Sequence, residues 1–516
     1  MRGLTAAVLL FLTLAGAFSN ARPTATVTLK VFDEKGEGTP CDFARFKNLS
    51  NCAAQKGWDT DCLLQADTYD CLKMQPLRPE GANLAFDCPA TCVLSLAWPT
   101  ASGGYNNLFL DNEGRGWSES ATIVFNLQAA RDCRRRLVRA LATRPRYAAS
   151  PAFGLSRTQA EEALALAEHA GSDAEQGRLG QKALDLCLQA YDTLLFEYGA
   201  QCARERKGKG LQWGFTVDRR AGFSERLAAI HQIVGDSGQG WIRIVCDRAN
   251  EPSFYRPMIE EARTSGIHVL LQILDSVDNR MPAEKVNERV RAYVDAFAAD
   301  VDAFEIGNEV NMKAVPGMVE RLEYAAAYAR EHAPRARTAV VLFWQLGSGF
   351  AKSNGAFTFF HWINHNVLPS RVLMENVDEW LVSLYPEGYP LGAPAFDEMM
   401  TRLERLFPGR AIGIGETDYW MKGTDRVWAW RTMSDSLDSM RAEFFRWHYA
   451  AAAGYEQSVL GGFWWGFCHE MAPSTVLWRA ACDLWREMNP GIAGAAPLSG
   501  IGFSSPSRPS PATTGP

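Results

Sequence analysis

Glu309 and Glu416 each close a short apolar run, Val-Asp-Ala-Phe-Glu-Ile-Gly-Asn-Glu and Arg-Ala-Ile-Gly-Ile-Gly-Glu, far apart in the chain. A carboxylate at the carboxyl end of a buried parallel strand lies at a barrel mouth, where side chains from different strands converge. Two carboxyl groups facing each other there are the minimum equipment for breaking a glycosidic bond. In the version that retains configuration one attacks, the other donates and then accepts a proton, and they stand about 5–5.5 Å apart. Adjacent strands would not spread the pair around a sugar. The fourth and seventh strands of an eight-stranded barrel face each other and would.

Placing both glutamates in that way requires repeated strand–helix units, and residues 209–489 carry their pattern of short apolar runs alternating with amphipathic stretches. Eight runs read as strands: Leu211–Val217, Trp241–Cys246, Ile267–Leu274, Ala303–Gly307, Thr338–Trp344, Trp380–Leu384, Ala411–Gly415 and Leu460–Phe467. Glu284–Ala299, Met318–His332 and Phe396–Phe407 read as helices between them. The pattern predicts an α/β fold, a (β/α)₈ TIM barrel, with Glu309 after the fourth strand and Glu416 after the seventh. A doubly wound open sheet is the alternative, but no Gly-x-Gly-x-x-Gly follows the first strand.

With these motifs placed, residues 209–489 resemble the clan A (β/α)₈ glycoside hydrolases. Glu-Ile-Gly-Asn-Glu-Val-Asn, Ser-Leu-Tyr-Pro-Glu-Gly and Gly-Glu-Thr-Asp-Tyr-Trp are most similar to the endo-β-1,4-galactanases, with xylanase-like relatives near. The resemblance implies that Glu309 is the acid/base, that Asn308 contacts the sugar 2-hydroxyl, and that Glu416 is the nucleophile. It implies that Arg243 and Tyr385 hold the nucleophile, and that Trp464 or Trp465 floors the bound sugar. The chemistry is sound on its own terms. Arg243 beside Glu416 would keep that carboxyl ionised, and Glu309, with no matched cation, could keep a proton to give.

Structural readings compete at each position. Arg243 could be a salt-bridge partner in the mouth, and Tyr385-Pro386 could simply end a strand. The run Phe463-Trp464-Trp465-Gly466-Phe467 could fill core, although alternation along a strand sends one tryptophan inward. Trp344, Trp420 and His469 stand at strand ends and are candidates to line sugar subsites. Glu470, Asp247, Asp275 and Asp418 are either subsite acids or solvated loop acids.

The chain has 516 residues and a net charge of −6, which lacks the basic footprint of a nucleic-acid partner and is compatible with a neutral sugar polymer. Residues 1–21 read as a signal peptide: Arg2, an apolar stretch from Leu4 to Phe18, then Ser19-Asn20-Ala21. An uncleaved anchor is the alternative, but the run is short for a bilayer and no stop-transfer pattern follows. The expectation is an extracytoplasmic protein, secreted or periplasmic, with no membrane span after cleavage and an oligo- or polysaccharide as partner.

Seven of the twelve cysteines fall between Cys41 and Cys133 and predict a disulfide-stapled region. Zinc is the alternative, but Cys88-Pro-Ala-Thr-Cys92 has no matching second pair. Residues 22–150 read as a β-rich, sandwich-like unit with strands Thr26–Phe32, Cys92–Trp98 and Ala121–Phe125. Its aromatics Trp58, Trp98, Tyr105 and Trp117 could stack on sugars or simply pack. Residues 151–208 read as a helical hairpin, with Ser156 and Gln159 as a capping-box start and Leu184, Leu188, Tyr191, Leu195 and Tyr198 on one face. Residues 490–516 are rich in Gly, Ser, Pro and Ala and predict a disordered tail.

No cofactor and no metal is expected. A metal-dependent barrel hydrolase would want His-x-His on the first strand or clustered histidines at strand ends, whereas the eight histidines are scattered. A carbohydrate-binding barrel without turnover and a transglycosylase remain as rival functions for the same two glutamates.

Overall fold

The computed structural model describes residues 25–50, 61–100, 104–235, 237–347, 354–385, 391–419 and 436–491. The signal segment, Trp58, Trp420 and nearly all of the 490–516 tail lie outside the described residues.

Eight parallel strands close a barrel in sequence order: Gln212–Val217, Gly240–Val245, His268–Gln272, Ala303–Glu305, Arg337–Phe343, Glu379–Leu384, Ala411–Thr417 and Ser458–Trp464. Every run read as a strand is one, with ends that differ by a few residues. Each run is apolar at nearly every position because both faces are buried. Trp241, Leu270, Ala303, Ala339, Val341, Leu381 and Phe463 fill the barrel interior. Their alternates, among them Ile242, Ile244, Phe304, Ile306, Ile412 and Ile414, pack outward under the helices.

The eighth strand closes irregularly. Leu460, Gly461, Gly462 and Phe463 have φ values of 66°, 73°, 85° and 22°, and a Cβ on Gly461 would lie 2.2 Å from the Ile414 carbonyl oxygen. Only glycine fits that crossing. Pairing to the first strand resumes at Trp464 with Phe215, and the run then turns into the short helix Phe467–Glu470 instead of continuing as strand.

Before the barrel stand two four-stranded sheets. One has the order Arg78–Glu80, Asn83–Cys88, Ala25–Lys30, Ala121–Val124, and the other Cys71–Met74, Cys62–Gln65, Cys92–Pro99, Tyr105–Leu110. Trp98 and Trp117 are buried in packing and offer no face to a sugar. Helix Phe125–Ala142 follows the last strand directly, so the end of the region read as β-rich is helical.

Pro151–Glu168 and Asp173–Arg206 form the hairpin. Its start corrects the capping-box reading: Ser150 is the N-cap and its hydroxyl accepts from the Phe153 amide at 3.2 Å. Pro151, whose ring presets the helical φ, sits in the first turn. Ser156 is buried inside the helix.

Among the described residues no disulfide joins two cysteines, and all the described cysteines but Cys71 are buried. Two sulfur pairs lie close, Cys88 with Cys92 and Cys133 with Cys187. Cys41, Cys202, Cys246, Cys468 and Cys482 are buried in the core as small apolar side chains. Among the described residues no helix is long and apolar enough to cross a membrane.

Candidate active site

The mouth is built from strand alternation. On the second strand Trp241 points inward, so Arg243 does too, one layer nearer the carboxyl end. On the fourth strand Ala303 points inward and Glu305 follows it. Layers in such barrels draw on alternate strands, and the two side chains meet: Arg243 Nε and Nη2 donate to the two Glu305 oxygens at 2.6 and 2.7 Å. Both are fully buried. The third guanidinium nitrogen, Nη1, lies 2.8 Å from Glu416 Oε2, an ion pair by distance though not aligned as a hydrogen bond.

Burial works against the Arg243 charge, but Glu305 and Glu416 more than offset it and raise its pKa. Burial pushes the Glu305 carboxyl up to about 7 against the pull of Arg243.

Glu416 reaches the mouth through a bulge. Val382 pairs with Ile414, yet Ser383 pairs with Glu416, so Gly415 is an extra residue on the seventh strand. A Cβ on Gly415 would strike Val341 and Leu381 of the barrel interior at 2.6 and 2.8 Å. Strict alternation would then send Glu416 outward to the helices. The bulge resets the alternation and aims it at Arg243. Two further donors complete its shell: Tyr385 Oη to Oε1 at 2.5 Å and Asn308 Nδ2 to Oε2 at 3.2 Å. Burial, followed by the charges of Glu416 and Glu309, holds the Tyr385 phenol well above its usual pKa, so it remains a donor.

Glu309 leaves the fourth strand with φ +49°, a left-handed conformation costing a residue with a side chain about 1–3 kcal/mol. Its Oε1 accepts from Ser383 Oγ at 2.8 Å, and Ser383 is the residue paired with Glu416. Burial first, then the Glu416 charge, pushes the Glu309 carboxyl up to about 8 despite the Ser383 hydrogen bond. Each glutamate therefore lies in reach of the other's field.

Asn308 is pinned by Asn279 Nδ2, which donates to its carbonyl at 2.9 Å, and its own Nδ2 also donates to Asp275 at 3.3 Å. Its Oδ1 is buried without a partner, an acceptor for a ligand hydroxyl.

The tryptophans separate by parity. Trp464 points outward, its ring 6.3 Å from Phe444 and 5.7 Å from Phe445 in the helix Leu437–Ala452. It is fully buried there and is corrected from sugar floor to packing. Trp465, half-buried, turns back to the mouth with its ring centroid 5.7 Å from the Arg243 guanidinium carbon.

Trp344 is 1% exposed and sits against Phe359 and Phe360, so it offers no open face. His469 is exposed beside Arg219 Nη2 at 2.6 Å and Asp218 at 3.5 Å. Trp420 lies outside the described residues. Asp275 joins the site through Asn308, whereas Asp247 caps its own loop by accepting from the Ala249 amide at 2.7 Å.

Glu305, Ser383 and Asn279 were not singled out from sequence. The first had a signal: a lone acid on the inward parity of strand four, in the layer of a lone arginine on strand two. Ser383 and Asn279 had none.

Chemically, the mouth sets Glu309, whose carboxyl is pushed up, against Glu416, which accepts from two donors and lies beside the Arg243 guanidinium, next to an aromatic face. Among the described residues the metal-ligating side chains that do cluster, Asp70, His361 and His365, lie outside this constellation.

No protein-family model matches the chain, and no curated protein does. Solved structures similar to it include one of fungal β-1,4-galactanases, at 13% identity and a TM-score of 0.38, covering 53% of this chain and 99% of that one. A family 1 β-glucosidase from Thermotoga maritima matches at 11% identity and a TM-score of 0.38, covering 55% and 98%. An endo-β-1,4-mannanase from Thermotoga petrophila matches at 12% identity and a TM-score of 0.37, covering 56% and 79%.

Proposed function

We propose that this protein is a retaining glycoside hydrolase that cleaves β-linked bonds in an oligo- or polysaccharide. The observation that carries the reading is the different surroundings of the two carboxyls: burial pushes Glu309 up to about 8, while Glu416 lies 2.8 Å from the Arg243 guanidinium and accepts from Tyr385 and Asn308. Those surroundings suit Glu309 to be the acid and Glu416 the nucleophile.

In the first step a Glu416 oxygen bonds to the anomeric carbon as the glycosidic C–O bond breaks. Glu309 gives its proton to the departing oxygen. In the second step Glu309, now a carboxylate, takes a proton from water. That water's oxygen bonds to the anomeric carbon and releases Glu416. Tyr385 on Oε1 and Arg243 on Oε2 hold the Glu416 carboxylate in place, Asn308 Oδ1 accepts from a sugar hydroxyl, and Trp465 packs on the sugar's C–H face. The reading includes export from the cytoplasm after loss of residues 1–21, checked by amino-terminal sequencing of mature protein from the medium or periplasm.

The test is hydrolysis of aryl β-glycosides and a panel of β-linked polysaccharides, with the anomer of the first-formed product read by NMR. Retained configuration supports the reading and inverted configuration rejects it. Intact substrates across the panel would favour a binding barrel. Products extended by added sugars would make the protein a transglycosylase. Near-wild-type turnover of polysaccharide by Glu309→Gln, or of any substrate by Glu416→Gln, would refute the roles.

A further inference from the structure

His361 and His365 stand one turn apart on the short helical segment that follows the fifth barrel strand, and Asp70 reaches them from the turn before strand Cys71–Met74 of the amino-terminal sheets. The three offer ligand atoms that all lie within 4.8 Å of one another. We propose that Asp70, His361 and His365 form a divalent transition-metal site of the zinc type that clamps the amino-terminal unit to the barrel.

Two imidazole nitrogens and one carboxylate oxygen are a donor set suited to Zn²⁺, with water as a fourth ligand. Bonds of about 2.0–2.2 Å at tetrahedral angles put neighbouring ligand atoms about 3.4 Å apart. His365 Nε2 is 3.2 Å from Asp70 Oδ2, and His361 Nδ1 is 4.0 Å from Asp70 Oδ1. These distances end on different Asp70 oxygens; the three ligand atoms, one per residue, lie within 4.8 Å of one another and close on a cation with a shift of about an ångström. His361 Nδ1 is buried and has no hydrogen-bond partner, which is costly for a polar atom and is relieved by a ligated cation.

The two imidazole rings lie 4.2 Å apart, side by side on the same helical segment.

The carboxylate is oriented from behind, as ligands in metal sites are. Asn364 Nδ2 donates to Asp70 Oδ1 at 2.8 Å and to the Thr68 carbonyl at 3.0 Å. The helix widens into a π-turn at Ile363–Val367, between the two histidines, a distortion frequent at functional sites. The candidate glycosidase machinery shares none of these residues, so the two readings stand or fall separately.

The test uses the full chain, stripped with a chelator. ZnCl₂ is added in a calorimeter and CoCl₂ in a visible spectrometer, and Tm is read with and without Zn²⁺. Expected are one equivalent of Zn²⁺, tetrahedral Co²⁺ bands without thiolate-to-metal charge transfer, and a Tm several degrees higher with saturating Zn²⁺. His361→Gln and His365→Gln should each abolish the bands and the Zn²⁺-dependent rise in Tm. Asn364→Ala should keep the site at about 10–100-fold lower affinity. Because the readout is the difference between loaded and stripped protein, a variant less stable in itself still answers. Absence of stoichiometric binding, cobalt bands of thiolate character, or unchanged affinity in the double variant H361Q/H365Q would overturn the proposal.

Discussion

At the scale of single residues, the site rests on the unequal surroundings of two like groups. Glu309 has a hydroxyl for company, whereas Glu416 has a guanidinium, a phenol and an amide. The two glutamates should therefore fail differently when changed. Glu309→Gln should cost about 10²–10⁴ in kcat on substrates whose leaving group needs a proton, and far less on dinitrophenyl glycosides, whose leaving group does not. Glu416→Gln should lose turnover on every substrate alike. Steady-state rates across leaving groups of graded pKa check both.

The pH profile follows from the same residue. Glu309 must carry a proton at the first step, so kcat/KM should fall as pH rises through about 8. Ser383 donates to the charged form and pulls that value down. Ser383→Ala should accordingly move the basic limb to higher pH; a limb that stays or moves down would contradict the role given to Ser383.

At the scale of elements, parity decides what each strand presents. Phe463 faces in, Trp464 out and Trp465 in, so the two tryptophans should separate cleanly on substitution. Trp464→Ala leaves a cavity between strand and helix and should cost about 3–5 kcal/mol in chemical denaturation. Trp465→Ala should leave stability nearly unchanged and raise KM. The seventh strand tests the bulge. Gly415→Ala pushes a methyl group into Val341 and Leu381, an overpacking worth about 1–3 kcal/mol. It also displaces the residue next to Glu416, so kcat should fall out of proportion to the modest loss in Tm. Alternation was legible along the regular second and fourth strands. It was not legible at Gly415, because a bulge shows only in the pairing with the neighbouring strand.

At the scale of the whole molecule, the barrel is joined to what precedes it by buried charge. Arg136, from helix Phe125–Ala142, places Nη1 2.7 Å from Glu398 on helix Gly392–Leu406, and both side chains are 2% exposed. Arg144 and Asp397 make a second such link at 2.6 Å. Glu398→Gln leaves Arg136 with less compensation in a dry junction and should cost about 3–5 kcal/mol. Burial would raise the Glu398 pKa, but Arg136, Arg139 and Arg402 prevail and hold it well below the usual range. A depressed folded-state value contributes stability above the ordinary glutamate pKa of about 4.3 and loses it as pH falls below. The gap between wild type and Glu398→Gln, measured by denaturant unfolding, should therefore be full at pH 7 and shrink in acid. These links join positions more than 250 residues apart, and no local pattern announces them.

The sequence alone determined the barrel, its eight strands, and the two glutamates placed at the ends of the fourth and seventh. Those features follow from short-range periodicity and from strands buried on both faces, which the order of residues records directly. Only the tertiary structure decided which tryptophan faces the mouth, that Glu305 shares Arg243 with Glu416, that Cys88 lies against Cys92 and Cys133 against Cys187, and that Asp70 meets His361 and His365. Each of these depends on which distant segments become neighbours, and on bulges and left-handed residues that reset a strand's parity.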